Sequence, residues 1–461
     1  MTLQKSGIAL LMLALCFGAA IAQKDLPPAG GQPKDLVLPP RTTLTLDNGL
    51  RVTMVPFGRV PKLSVVVAIR AGKISEEPDQ VWISDLAGDM MKEGTTTRPA
   101  KTLARDAARI GGSITVTVGN DGSQVNGSAL SDFGTDLIAL LADVVRNPAF
   151  PESELSRLKG NLIRRLSVAK SQPDQLASEK FRNVLYGDHP YGRRMPSEAA
   201  LEAYTLDQVR AFYRANVVAA RTHIYVSGMF DQTKVEAAIR KAFGDWPRGD
   251  EPAINVPKPV SSRAVYVVDR PGSSQSTIII GLPVINPQNP DYLALVQTNL
   301  LLGGAFSSRI TSNIRENKGY TYSPYSTISS RYRDAYWMEQ ADVSTDVTGP
   351  ALKEILFEIN RLQEVPPSPE ELKGIQNYQA GIFVIQNATP RMILNLLMFA
   401  DLHGLPEEYL KNYVKNIYAV TPAKVQALTK EHLRDEEMTI VIVGDRKKIE
   451  RQVAEFGKLK S

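Results

Sequence analysis

Cysteine and histidine are nearly missing from this chain. One cysteine, Cys16, and four histidines (His189, His223, His403 and His432) stand among 461 residues. A single thiol excludes a disulfide framework and a cysteine-ligated zinc site. The histidines lie far apart, so a metal site built on two imidazoles one helical turn apart is excluded too. No Gly-x-Ser-x-Gly elbow, no phosphate loop ending in Gly-Lys-Ser/Thr and no Gly-x-Gly-x-x-Gly fingerprint occurs. An excess of one charge is also lacking. Lys+Arg 54 against Asp+Glu 49 leaves +5, too thin over this length to argue for nucleic acid. What is present is ordinary globular material, 43% hydrophobic and 22% charged, enough for two large domains or three of about 150 residues.

Residues 1–22 read as a secretory signal peptide. Lys5 precedes an apolar run from Ile8 to Ile21, and Ala20-Ile21-Ala22 is a small-x-small cleavage site. The run is shorter than the roughly 20 residues a membrane span prefers, so no stable span is expected after cleavage. Leu15 before Cys16 argues against a lipoprotein site. The expected location is the periplasm, and the rest of the chain, free of cysteine, suits that oxidising compartment. Residues 23–41 are rich in proline and glycine and read as an extended arm.

Comparison of the chain with itself reveals a duplication. Residues 206–230 and 421–446 each give an amphipathic helix, a turn and a β-run that ends in glycine. Val209 matches Val425 and Gly228 matches Gly444; 425 − 209 and 444 − 228 both give 216. The segment 141–160 echoes 356–375, and SVVVAIRAG (64–72) echoes STIIIGLP (276–283). Between the halves, 248–262 is rich in proline and charge and reads as a linker. The expected domains are therefore 42–247 and 263–461, each of about 200 residues. Strand signals include the hairpin TLTLDNGLRVTMVP (43–56), with Asn48-Gly49 as its turn. Helices are expected at 132–147, 152–172, 175–186, 206–215 and 232–243, with counterparts in the second half. Hairpins followed by runs of helices predict an α+β fold: two largely antiparallel sheets, each backed by helices, facing each other across a chamber.

Several segments then resemble one family. GLRVTMVP, VVVAIRAG, SDLAGDMMKEGTT, LYGDHPYGR (185–193) and RENKGYTYS (315–323) resemble, in this order, the pitrilysin/insulinase/mitochondrial-processing-peptidase superfamily of zinc peptidases. The resemblance spans about 40–455. Active members carry His-x-x-Glu-His on a helix of the first half. The two histidines bind zinc, the glutamate deprotonates the zinc-bound water, and a glutamate well downstream completes the shell.

MMKEGT fixes the frame against the family's MMFKGT. Asp85, Gly88 and Asp89 then fall at the histidine, glutamate and histidine positions. Arg165, or Arg164 one residue earlier, falls at the downstream ligand. Glycine is no general base, carboxylates suit harder cations, and an arginine repels a metal. No metal is therefore expected in this chain, and zinc is expected in a partner. Asp85 and Asp89, at i and i+4 with Trp82 beside them, are expected to take Arg165 or Arg164 as a bridge across the vacated metal position. The alternative is a solvated acidic face.

The resemblance also implies an Arg/Tyr pair in the second half, here Arg315 and Tyr322, which in related enzymes holds the substrate backbone and stabilises the oxyanion. From spacing alone, Arg315 serves equally well to cap a helix or pair with Glu316. Gly303-Gly304 matches a glycine-rich substrate loop or a tight turn. His189 reads as structural, and the basic run Arg157, Lys159, Arg164, Arg165 and Lys170 as a chamber lining or a solvated face. The expected function is a non-catalytic, substrate-binding subunit of a secreted heteromeric zinc peptidase, paired with a zinc-bearing homologue and a peptide substrate. A stand-alone peptide-binding scaffold and an enzyme using other chemistry at the altered site are the alternatives.

Overall fold

The computed structural model describes residues 37–253 and 255–460. The signal-peptide reading and most of the Pro/Gly-rich arm lie outside the described residues.

The strands form two six-stranded sheets. The first holds β1 (Thr42–Thr45), β2 (Arg51–Pro56), β3 (Lys62–Ile69), β4 (Ser113–Val118), β5 (Ser123–Leu130) and β6 (Thr222–Gly228), in the order β1-β2-β6-β3-β5-β4. The second holds β7 (Ala264–Asp269), β8 (Gln275–Pro283), β9 (Tyr325–Arg331), β10 (Asp334–Ser344), β11 (Thr439–Gly444) and β12 (Lys458–Lys460), in the order β12-β7-β11-β8-β10-β9. The two orders match except at one edge. There β1 pairs antiparallel with β2, whereas β12, last in the chain, joins β7 parallel. The β2–β6 and β7–β11 pairs are parallel and the remaining neighbours antiparallel. This is the α+β architecture expected from the sequence.

Strand composition follows position in the sheet. Central β6 (THIYVSG) and β11 (TIVIVG) are buried throughout, so both faces need apolar or small side chains. Edge strand β4 (SITVTV) alternates exposed and half-buried residues. The hairpin β1–β2 turns at Gly49, whose φ of +85° suits glycine, and Asn48 Nδ2 anchors the turn to the Phe243 and Trp246 carbonyls at 2.8 and 2.9 Å.

The elements that position the site are α1 (Ile83–Met90), α2 (Glu152–Ser171), α3 (Pro173–Tyr186), α4 (Tyr292–Asn299), α5 (Pro369–Gln386) and α6 (Pro390–His403). One face of each sheet packs on helices of its own half. Leu63, Val65 and Val67 join Leu137, Leu141 and Ile239 in the first core. Ile278 and Ile280 join Leu352, Ile355 and Ile359 in the second. The other faces are exchanged. Ile279, Val441 and Val443 of the second sheet bury Ala177, Phe181 and Leu185 of α3, which belongs to the first half. Val66 and Tyr225 of the first sheet bury Ile393, Leu394 and Leu397 of α6, which belongs to the second. The exchanged helices are equivalent in the duplication and begin 217 positions apart (390 − 173), each with proline in its first turn.

Polar contacts reinforce the exchange. Tyr225 Oη donates to Asp401 Oδ2 at 2.6 Å, and Tyr186 Oη to Asp334 Oδ2 at 2.5 Å. Arg391 reaches Asn126 and Gln124 at 2.7 and 3.1 Å. The described part of 248–262 carries no helix or strand, and Val260 N donates to the Leu185 carbonyl at 2.9 Å. Among the described residues no single helix is long and apolar enough to cross a membrane.

Candidate functional site

Helix α1 carries Asp85, Gly88 and Asp89. Ile83, Leu86, Ala87 and Met90 fasten its apolar side into the first core. Its N-terminus is held by a buried carboxyl: Glu76 Oε1 accepts from Ser84 N at 3.2 Å and from Ser84 Oγ. Burial pushes Glu76 up to about 7, assisted by the charge of Asp85 and opposed by its hydrogen bonds to Ser84 and the Trp82 amide. Trp82 precedes the helix at φ +73°, a left-handed conformation that costs a bulky residue on the order of 1–3 kcal/mol. The indole fixes it there: Nε1 donates to the Arg194 carbonyl at 2.8 Å, and the ring is buried.

At the degenerate metal position, Arg165 Nη2 lies 2.9 Å from Asp85 Oδ1, and its guanidinium carbon sits 4.4 Å from the centre of the Trp82 ring. Lys73 Nζ is 3.3 Å from Asp85 Oδ2 and 5.7 Å from the same ring. Asp85 is thus held between two cations that share one indole. The bridge to both carboxylates does not form. Asp89 pairs with Lys92 at 2.8 Å, an i,i+3 contact on its own chain segment that costs less ordering than reaching α2. Arg164 turns away and bonds Asn161 on its own helix. Position 88 is closed sterically: a Cβ there would lie 2.8 Å from Val118 Cγ2 and 3.4 Å from Val116 Cγ1 of β4.

These residues do not fit zinc. A guanidinium and an ammonium occupy Asp85, a second ammonium holds Asp89, and among the described residues no group of three or more His, Cys, Asp or Glu is placed to hold a metal ion. Arg157 and Lys159 of the basic run on α2 are anchored locally. Arg157 pairs with Glu93 at 2.7 Å and Glu154 at 2.6 Å, and Lys159 reaches the Tyr204 carbonyl at 2.9 Å. His189 bonds the Asn255 carbonyl at 3.0 Å and the Tyr191 amide at 3.2 Å.

In the second half Arg315 stacks between two aromatic rings, 4.5 Å from the centre of Phe306 and 4.8 Å from that of Tyr322. Its Nε also pairs with Glu316 at 3.1 Å, so the local pairing and the stacking coexist. Tyr322 is 80% exposed and Phe306 69% exposed, unusual for rings of this size. The two ring contacts and the ion pair of Arg315 are all within its own half, and none of them joins it to Asp85 or Arg165. Gly303 and Gly304 do not form an open loop. They end a π-helical turn, Leu300–Gly304, that continues α4. A Cβ on Gly303 would lie 2.5 Å from Glu339 Oε2 and 2.6 Å from Ser326 Oγ, and one on Gly304 2.6 Å from Asn299 Nδ2. Their smallness serves packing.

Sequence reasoning missed Lys73, Glu76 and Phe306. Glu76 was visible only as part of the acidic stretch SEEP, and Phe306 only as the aromatic after Gly-Gly.

Two family models match the chain in order: Insulinase (Peptidase family M16) over residues 59–197, and Peptidase M16 inactive domain over 203–378. An uncharacterized zinc protease of Rickettsia felis is 25% identical over 348 residues, covering 74% of this chain and 82% of the relative. The non-peptidase homolog YmxG of Helicobacter pylori is 21% identical over 396 residues, covering 84% and 90%. The crystal structure of a peptidase M16 inactive domain from Pseudomonas fluorescens shares the fold with a TM-score of 0.82 at 24% identity, over 88% of this chain and 98% of that one. With two models of one family matching successive stretches of a duplicated fold, the chain belongs to the M16 peptidases of the pitrilysin/insulinase/mitochondrial-processing-peptidase superfamily and resembles their non-catalytic members.

Proposed function

We propose that this chain is the non-catalytic, substrate-binding subunit of a heteromeric zinc peptidase in the periplasm, and that it supplies Arg315 and Tyr322 to a partner's zinc site. The observation that supports this most is the exposed stack Phe306–Arg315–Tyr322. A guanidinium held against two rings and tied at Nε to Glu316 has its terminal nitrogens left to donate, and Tyr322 keeps its hydroxyl in solvent. Such preorganised donors stabilise charge that develops on a carbonyl oxygen during hydrolysis. This chain's own counterpart of the zinc site is neutralised, so the reaction these donors serve belongs to another subunit. Edge strand β4, beside α1, offers unpaired backbone groups to an extended peptide. The metal, the base and the attacking water are expected from the partner.

The test is reconstitution. The purified chain, a zinc-motif homologue from the same organism and a 1:1 mixture are assayed for zinc by mass spectrometry and for peptide hydrolysis. Activity in the mixture alone, reduced by about 10²–10³ in kcat on Arg315→Ala, supports the reading. Hydrolysis by the chain alone sinks it. A mixture that forms no complex and gains no activity favours the stand-alone scaffold.

A further inference from the structure

Trp82 also lines a cavity of about 240 Å³, whose wall includes neither Arg165 nor Asp85. Lys73, Arg182, Arg193 and Arg194 line it, and no carboxylate does. Three of these cations hydrogen-bond only neutral groups, although the carboxylates of Glu179 and Asp174, outside the lining, also act on Arg194. Arg182 Nε donates to Tyr336 Oη at 3.2 Å. Arg194 donates to Ser178 Oγ at 2.6 Å and Gln175 Oε1 at 3.3 Å. Arg193 gives Nη2 to the Glu76 carbonyl at 3.2 Å, while its Nε and Nη1 are shielded from solvent and bond nothing. Two shielded guanidinium nitrogens without an acceptor are costly, and an anion in the cavity would relieve them. Burial also lowers Arg182, to about 10, and Arg194, and the charge of Arg331 depresses both further.

The cavity is continuous with the end of β4: Val118, Gly119 and Asn120 form part of its wall. An extended peptide added to that edge would run directly into it. We infer that Arg182, Arg193 and Arg194 form a carboxylate-binding subsite for a peptide lying along β4, an inference that rests on the substrate-binding reading above. The carboxylate has two sources. A peptide antiparallel to β4 presents an acidic side chain near its N-terminus, and one parallel to it presents its C-terminal carboxylate.

The experiment measures binding of fluorescein-labelled ten-residue peptides to the full chain by anisotropy. One peptide carries Glu in its N-terminal third, one carries Gln there, and each is made with a free and an amidated C-terminus. The wild-type chain is expected to bind at least one carboxylate form tenfold or more tighter than the doubly neutral peptide. The Glu/Gln and acid/amide pairs report which source is used. Arg193→Met is expected to abolish the preference while leaving affinity for the neutral peptide unchanged. Equal affinity for all four peptides overturns the subsite, and so does a preference that survives in a folded Arg193→Met chain. Displacement by inorganic phosphate at concentrations where acetate has no effect overturns it in favour of a phosphate site. The wild-type comparison stands even if the variant fails to fold. Reconstituted hydrolysis of the neutral peptide separates the outcomes: activity without carboxylate preference removes the subsite and keeps the subunit reading.

Discussion

Val118 occupies the space that a side chain at position 88 would need. Its Cγ2 would stand 2.8 Å from a Cβ built on Gly88, closer than carbon atoms pack. In the frame expected from MMKEGT, the general base is missing at this position in two senses: the residue is glycine, and a side chain of the neighbouring strand fills its place.

Gly88→Ala is expected to destabilise the chain by about 1 kcal/mol, because overpacking outweighs the gain in helix propensity. Val118→Ala in the same chain should recover most of that loss. Urea denaturation of both singles and the double measures the coupling, and strict additivity would contradict the contact. By the same argument Asp85→His, Gly88→Glu and Asp89→His together will not create a zinc peptidase. Arg165→Glu and a smaller residue at 118 are needed as well, which zinc titration of the stepwise variants would check.

Arg165→Met is expected to cost about 1 kcal/mol, since the pair is half-exposed on the arginine side and part of the energy comes from the Trp82 face. Arg165→Lys should recover little of it, because an ammonium does not stack as a plane. Trp82→Leu combined with Arg165→Met should cost less than the two singles added, as read by thermal denaturation.

Glu76 makes stability depend on pH. Its folded value of about 7 exceeds the 4.5 of a free glutamate, so between these values the folded chain holds a proton that the unfolded chain has lost. Stability must then fall as pH rises through that window, by up to about 3 kcal/mol from this group. Glu76→Gln keeps an acceptor for Ser84 and should flatten the change in Tm between pH 5 and 8. A Tm profile as steep as that of the wild type would refute this.

Gly303→Ala is expected to cost about 2 kcal/mol through its clash with Glu339 and Ser326. A mobile substrate loop would accept alanine without loss, so Tm decides between the roles. Burial without any hydrogen-bond partner holds the Glu339 carboxyl well above the usual range. Glu339→Gln should therefore raise Tm more at pH 9 than at pH 6.

The sequence made the repeated units legible because their signals are local. Periodicity placed helices at 152–172 and 232–243, within a residue of where they lie. The frame at MMKEGT led to Asp85 and Asp89 with Arg165 or Arg164 as their bridge, of which the Arg165–Asp85 pair forms. What stayed hidden depends on contacts between distant segments. Lys73 reaches Asp85 because its amide is tied to the Gly119 carbonyl at 3.1 Å, across the β4–β5 turn. Gly303-Gly304 suggested a loop because glycine pairs usually punctuate, whereas here the missing side chains admit a buried carboxyl. The exchanged helices were predicted as helices, but nothing in a heptad of α3 says that its apolar face belongs to a sheet encoded some hundred residues later.

The exchange of α3 and α6 carries a mechanical consequence. Swinging one half away from the other would strip Phe181 from one sheet and Leu394 from the other in the same movement. Exposing two such side chains fully would cost several kcal/mol, at about 1.5–3 kcal/mol each. The chain is in effect clasped twice, once in each direction, and it turns as one block. If a peptide is to be admitted and its fragments let go, the seam that parts is not the one between these two halves.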